Sequence, residues 1–262
     1  MPYKENVPYR WRISRGAESG ETSETIYGYS DNVTQTAGTV WSGAQALTYL
    51  STAAYVITAS DDADDAAAGT GARTIEITGL LANYTQTTDT ITTNGVTGVT
   101  SGVQFLRILK LEVGTAGSQN LNDGRVYTIL DGTDSTFTAG GVPTSTSKYL
   151  GMIDSSTCKS LMAQYTVPTT ASGVSGSKYG FVEDWWISNQ NNVSNVGELW
   201  TRVSGKPWKL QERRGLVGGD TGNFYQYPTK YAAGTDIEIR AKASAGTALI
   251  SAGFSVMVTL GD

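Results

Sequence analysis

Clustered carboxylates are the first residues in this sequence that could do chemistry. Asp61, Asp62, Asp64 and Asp65 lie within the six-residue run SDDADD, and carboxylate oxygens are the ligands that calcium prefers. Their spacing matches no established calcium-loop pattern, and it suits a solvated turn equally well. We therefore predict a turn with no metal ligand assigned, and whether the cluster binds calcium stays open.

A second group of carboxylates lies beside tryptophans, as in many sites that bind sugars. Glu183 and Asp184 directly precede Trp185 and Trp186, and a glycosidase needs two carboxylates flanking one bond. Neighbouring residues of a strand face opposite sides, so Glu183 and Asp184 cannot both flank the same bond. A second carboxylate would have to come from Glu198, Glu212 or Asp220. A tailspike-type glycan hydrolase is thus kept as an alternative to an aromatic strand that fills a core or a subunit interface.

The residues that usually activate nucleophiles are absent or isolated. The sequence has no histidine and a single cysteine, Cys158, so a cysteine nucleophile would lack its usual base. One cysteine cannot form an intrachain disulfide, and we expect Cys158 to pack as a small apolar residue. The sequence predicts no catalytic residue, no metal site and no cofactor. We expect a non-enzymatic protein made in a reducing cytoplasm.

Charge and hydropathy limit the classes of partner. The 262 residues carry a net charge of −5, whereas a nucleic-acid partner calls for a basic face. The first residues contain no apolar leader segment, and no apolar run approaches the 18 residues of a membrane span. We therefore expect neither nucleic acid nor a membrane as the partner.

The N-terminal stretch over residues 1–45 combines aromatic and basic residues without a sustained period, which predicts an extended arm. An arm so rich in aromatic side chains should cover a protein surface. Its few arginines would release too few counterions to hold nucleic acid. The partner-binding residues predicted in the arm are Tyr3, Tyr9, Arg10, Trp11 and Arg12.

Most of the remaining sequence reads as short strands separated by turns. Residues 74–78 alternate strictly, 105–113 read as a strand buried on both faces, and Asn94-Gly95 predicts a type I′ hairpin turn. Residues 236–243 and 250–260 also alternate and predict the strongest hairpin of the chain. These signals predict an all-β protein of the antiparallel sandwich or jelly-roll type. We predict a β-rich domain over 46–140 and a C-terminal β-sandwich over 141–262.

Two further features of the C-terminal part predict contacts with partners. The Gly-rich run 215–227 lacks the ending of a phosphate-binding loop, so we predict a long surface loop whose aromatic residues Phe224, Tyr225 and Tyr227 bind a partner. The tryptophan load of this part exceeds what one sandwich core needs. We therefore predict a homo-oligomer, specifically a trimer, in which some of these indoles form the contact: Trp185, Trp186, Trp200 and Trp208.

A series of segments resembles virion structural proteins of tailed bacteriophages that infect aquatic and cyanobacterial hosts. The series is WSGAQALTYL, DDAAAGTGARTIEITGL, ITTNG, FLRILKLEVGTAGSQNLNDGRVYTI and QYTVP, and it spans Trp41 to Pro168. The resemblance implies a particle component made in the bacterial host and located in the virion, and it assigns no functional residue. Our first expectation is a capsid decoration or cement protein that binds the major capsid protein or other virion proteins. The alternative is a tail fibre, head fibre or knob that binds a host glycan or receptor.

Overall fold

The computed structural model describes residues 12–13, 18, 20–43, 46–132, 136–170, 176, 179–217 and 219–259, and for 223–227 the backbone alone. The described residues form sixteen strands: β1 (Glu21–Val33), β2 (Gly38–Thr39), β3 (Val56–Ser60), β4 (Ala72–Leu80), β5 (Gln86–Thr92), β6 (Val99–Thr100), β7 (Arg107–Ala116), β8 (Val126–Leu130), β9 (Tyr149–Ile153), β10 (Gln164–Thr166), β11 (Tyr179–Asn189), β12 (Asn195–Val203), β13 (Lys209–Leu216), β14 (Gly219–Ala232), β15 (Thr235–Ala243) and β16 (Ala248–Thr259). The predicted all-β, antiparallel fold class is confirmed.

Two sheets form a sandwich around the first hydrophobic core. One sheet has the order β1-β16-β11-β14, and the other has the order β10-β15-β12-β13, with β2 added beside β15. Their inner faces supply the buried side chains, among them Trp185, Ile187, Leu199, Ile239 and Phe254. β1 runs very close to the rest of the molecule at Gly28, where a Cβ atom would lie 2.3 Å from the Val40 carbonyl oxygen. Only glycine fits there.

The strands β15 and β16 were predicted correctly, but their pairing was not. They do not form a hairpin, because β15 pairs with β12 and β10 while β16 pairs with β1 and β11. The two strands lie in opposite sheets, and their alternating apolar residues meet across the core. Alternation shows that a strand has one buried face, and it leaves the neighbour that forms its hydrogen bonds unspecified.

The second hydrophobic core lies between two smaller sheets, with orders β6-β3-β8-β9 and β5-β4-β7. The predicted type I′ hairpin at Asn94-Gly95 is wrong. β5 pairs with the preceding β4, Asn94 forms a bridge with Ala66, and the Gly95 amide donates to the Asp65 carbonyl at 2.8 Å. Gly95 does have a positive φ of 58°, as a turn residue would. The segments on either side of this turn do not pair with each other, because β5 pairs with β4.

Long-range pairing crosses the predicted limits of the arm and of the β-rich domain. Residues 21–33, which the sequence assigned to the arm, form β1 and pair with β16 near the end of the chain. Likewise β9, which follows residue 140, pairs with β8 and contributes to the second core. The polar run 131–147 therefore connects β8 to β9, two neighbouring strands of one sheet. Such antiparallel neighbours can lie far apart in sequence.

A β-bulge interrupts the alternation of faces along β11. Against β16 the register shifts between Val182 and Asp184, so Glu183 is an extra residue of β11 at that point. Against β14 the same step spans Phe224 to Thr229 of β14. Val182, Trp185 and Ile187 consequently face the core together. A strict two-residue period would place Val182 and Trp185 on opposite faces, because it allows for no bulge.

Candidate functional site

Of the five partner-binding residues predicted in the arm, only Arg12 lies in the described part of the chain. Arg12 is exposed and forms an ion pair with Glu18, while Tyr3, Tyr9, Arg10 and Trp11 lie outside the described residues. Ile13 is buried, with 4% of its surface exposed. The chain joins the sandwich at Glu21, opposite Thr259. At least one apolar residue of the arm region is thus covered by the protein itself.

The second predicted contact segment is a strand and not a loop. Residues 209–216 and 219–232 form β13 and β14, and β14 pairs with β11 so that Phe224 lies opposite Asp184. The many glycines suggested a loop, but the run pairs along most of its length. Phe224, Tyr225 and Tyr227 belong to β14, and their side chains lie outside the described part of the structure. These three residues therefore lie on the outermost strand of the first sheet.

β13 and β14, with the turn that joins them, form what we call the edge surface. In the described chain each is the last strand of its own sheet, so each has one side free to hydrogen-bond with another chain. Exposed apolar side chains lie on it or beside it: Val203 is 54% exposed, Leu210 38% and Val217 76%. Unpaired backbone groups together with exposed apolar residues are typical of surfaces that bind proteins.

The strand that follows the arm and the strand that carries Phe224, Tyr225 and Tyr227 lie at opposite edges of one sheet. The order is β1, β16, β11 and β14, so three strand spacings separate the two edges, or about 14 Å. The position of Tyr3, Tyr9, Arg10 and Trp11 relative to β14 lies outside the described residues.

A buried ionic network connects the two cores, and the sequence analysis missed it. Arg107 of β7 forms a two-pronged pair with Asp236 of β15, with Nε–Oδ1 at 2.8 Å and Nη2–Oδ2 at 3.0 Å. Arg202 also binds Asp236, at 2.8 Å, and the Thr166 hydroxyl donates to it at 2.6 Å. Arg107 and Asp236 are 4% and 0% exposed. Arg107 further donates to the Leu50 carbonyl at 2.6 Å, so its N–H groups have acceptors in addition to Asp236.

Glu238, two residues further along β15, extends this network. It is fully buried, is paired with Arg240, and accepts hydrogen bonds from the Tyr49 hydroxyl at 2.5 Å and the Thr39 hydroxyl at 3.0 Å. Burial, with Glu238 as the second cause, raises the pKa of Tyr49 well above its usual value. Tyr49 therefore stays protonated and serves as a donor.

Arginines stacked on aromatic rings complete the network toward the surface. The guanidinium groups of Arg202 and Arg240 lie 4.4 and 4.6 Å from the centre of the Trp208 ring. Arg240 also lies 4.9 Å from the Trp200 ring, and Tyr49 meets Trp208 edge-on. These stacks hold the arginines that neutralise Asp236 and Glu238. The arrangement links the two halves of the molecule through Arg107 and Tyr49.

The carboxylates considered for glycan hydrolysis are engaged in similar contacts. Glu198 accepts a hydrogen bond from the Trp200 indole N–H at 2.7 Å. It also forms an ion pair with Arg213 at 2.7 Å. Glu212 accepts the Trp185 indole N–H at 2.8 Å and pairs with Arg214. Both carboxylates are therefore held by an indole and an arginine of their own chain.

The aspartate cluster at 61–65 is organised around a buried carboxylate. Asp65 is fully buried and accepts four hydrogen bonds, from the Ser60 hydroxyl and from the backbone amides of Ala72, Asp123 and Gly124, at 2.6–2.9 Å. Its lone pairs are thereby used within the protein. Within the described residues, no three acidic, histidine or cysteine side chains are grouped to hold a metal ion.

Cys158 does not pack in a core as expected. It lies half-buried in a turn with a positive φ of 56°, and its amide donates to the Asn122 side chain at 3.0 Å. Asn122 is itself fully buried and donates to the Gly124 carbonyl at 2.6 Å. Cys158 belongs to no strand and precedes β10, so it has no sheet face to bury its side chain.

The four tryptophans of the C-terminal part have different environments. Trp185 is fully buried in the first core, and Trp186 packs on Tyr27 with ring centres 5.6 Å apart. Trp200 and Trp208 are half-buried beneath arginines. The fold thus accounts for Trp185, and the other three keep part of their surface available for contact with another chain.

The predicted trimer is testable on the isolated protein. Because three half-exposed tryptophans and an open pair of sheet edges lie on one body, we expect light scattering at micromolar concentration to give three times the mass of one chain. A protein that is monomeric both in solution and on the particle would contradict this expectation.

Comparisons with known proteins give loose structural similarities. No protein-family model matches the sequence, and no curated protein matches it either. The structure is similar to a mitogen from Yersinia pseudotuberculosis, with 15% identity and a TM-score of 0.21, over 38% of this chain and 86% of the mitogen. It is also similar to a chain of the infectious bursal disease virus Gx strain, with 12% identity and a TM-score of 0.26, over 97% and 78% of the two chains. A mutant VP2 protein of the same virus gives 15% identity and a TM-score of 0.26, over 98% and 76%. No functional argument rests on matches at these TM-scores.

Within the described residues, no helix has the length and apolar character needed to cross a bilayer.

Proposed function

We propose that this chain is a non-enzymatic structural protein of a tailed-phage particle, which decorates the capsid and clamps neighbouring shell subunits together. The observation that carries the proposal is the edge surface, where Leu210 of β13 and Val217, which follows β13, are exposed and Val203 at the end of β12 is exposed beside them. The resemblance of residues 41–168 to phage virion proteins supports the same class. The partner is the major capsid protein or another virion protein.

A clamp has to transmit force between its contact points, and the body of this protein suits that task. The network around Asp236 and Glu238 joins the two cores through the buried pair of Arg107 and Asp236, which Arg202 extends. β1, the strand that follows the N-terminal arm, and β14 of the edge surface lie at opposite edges of one sheet. Each could therefore hold a different shell subunit, with the sandwich as the rigid link.

A clamp stabilises a shell by mass action, because it binds the assembled lattice more tightly than free subunits. Particles that lack the chain are therefore expected to lose their DNA at a lower temperature than complete particles, yet to adsorb to host cells at the normal rate. DNA release on heating and adsorption kinetics are the two measurements. Purified protein added back should restore heat tolerance. Particles without the chain that tolerate heat normally would contradict the proposal.

A second candidate function is a fibre or knob that binds a host glycan or receptor. It is favoured by one observation, which is that Phe224, Tyr225 and Tyr227 follow closely on an outer strand. Under this alternative, alanine at each position would weaken attachment by about 1–3 kcal/mol, as expected of aromatic anchors. Adsorption would fail while heat tolerance stayed normal. We expect the heat defect and unimpaired adsorption.

A further inference from the structure

A cavity of about 180 Å³ lies beside the sandwich, and its lining includes no residue of β13 or β14. Its lining comes from β1, β4, β5, β7, β10 and the segment 159–162, so it forms only in the complete fold. Exposed residues such as Tyr27 and Lys159 are part of the lining, which places one side of the cavity at the surface. The apolar part of the wall consists of Ile26, Leu109, Leu111, Leu161 and Met162.

Two buried polar atoms in this lining have no hydrogen-bond partner within the described structure. They are the Tyr165 hydroxyl and the Gln86 side-chain carbonyl oxygen. Tyr165 is only 3% exposed. Leaving a buried polar group without a hydrogen bond destabilises the fold, so groups of this kind call for a partner from outside the chain. A single buried water needs roughly 10–15 Å³ of such space, so one water does not fill the cavity.

The charges around the cavity indicate the kind of partner. The lining contains two glutamates, Glu24 and Glu112, and two lysines, Lys110 and Lys159, so their formal charges cancel. Lys110 and Glu112 pair with each other at 2.8 Å. Neither an anion nor a cation gains a net attraction there. Burial raises the pKa of Tyr165, so its hydroxyl remains protonated and can both donate and accept.

We propose that this cavity binds one unit of a neutral sugar. Ring hydroxyls can donate to the Gln86 carbonyl oxygen and to the carboxylate of Glu24, and can exchange a hydrogen bond with Tyr165. The C–H faces of the ring suit the aliphatic wall. Drug-sized ligands occupy larger pockets, roughly 300–1,000 Å³, so the size suits a single ring. The site is independent of the proposed clamp function.

The test is calorimetric titration of the purified full chain with glucose, galactose, mannose and N-acetylglucosamine, each measured separately. At least one of them is expected to bind, and Tyr165→Phe should weaken that binding by about 10-fold or more, since it removes one hydrogen-bonding group. Tyr165→Phe removes only the orphan hydroxyl, so it should fold and melt at the temperature of the parent or above. The matched control is Tyr55→Phe, an exposed tyrosine outside the cavity, which should leave the affinity unchanged.

Three results would overturn the sugar site. The first is no binding of any of the four sugars, which would leave a water-filled cavity. The second is equal affinity in the parent and Tyr165→Phe, which would place the sugar elsewhere. The third is that inorganic phosphate or an alkylammonium ion binds the cavity in place of the sugars. None of these results bears on the heat tolerance of particles, so the two proposals fail separately.

Discussion

Replacing Asp236 with alanine is expected to destabilise the protein by about 3–5 kcal/mol, the largest effect of any exchange of a polar residue considered for this chain. The substitution leaves the buried guanidinium of Arg107 without its partner and removes one ion pair from Arg202. Removing one member of a buried ion pair is costly because the remaining charge stays in a medium of low polarity. The free energy of unfolding from denaturant titration measures the effect.

The matched control for this substitution is Asp220→Ala. Asp220 is an exposed aspartate on β14, and exposed substitutions of this kind usually change stability by less than about 0.5 kcal/mol. If the two variants differed from the parent by the same small amount, the network around Asp236 would not hold the two cores together.

Deleting residues 1–15 is expected to weaken binding to particles by at least about 100-fold, while the body stays folded. The reason is that Tyr9 and Trp11 are predicted interface anchors, and two anchors of about 1.4 kcal/mol each give a factor of 100. The deletion also removes Ile13, which is buried. Loss of one buried isoleucine costs the body about 1.5–3 kcal/mol. Sedimentation of the protein with particles measures the affinity.

The double substitution Tyr9→Ala with Trp11→Ala separates binding from folding, because it leaves Ile13 in place. It should reduce binding as the deletion does and leave the melting temperature of the protein unchanged. Unchanged occupancy of particles by both variants would reject the arm as a contact.

The sequence predicted the fold class and most strands, because alternation of apolar residues depends on local burial. It did not predict pairing. Residues 236–243 and 250–260 looked like a hairpin, yet each lies in a different sheet. Nothing local distinguishes two strands that share hydrogen bonds from two that face each other across a core. The bulge at Glu183 likewise depends on both neighbours of β11.

The ionic network was missed for a related reason. Glu238 and Arg240 alternate with isoleucines and alanines, so they read as the solvent side of β15. In the structure β2 and Tyr49 cover Glu238, and Arg107 reaches Asp236 from the other half of the chain. One feature of the sequence could have predicted part of the network, because Arg107 lies inside the apolar run FLRILKLEV. An arginine within a strand buried on both faces needs a buried acidic partner.

The central claim is that the chain recognises the assembled shell and not its subunits. The most direct test is to compare the equilibrium affinity of the purified protein for emptied, assembled shells with its affinity for free subunits of the major capsid protein. We expect binding to shells to be at least about 100-fold tighter, a difference of about 2.8 kcal/mol per site. Equal affinity for both forms, or no binding to shells, would contradict the claim.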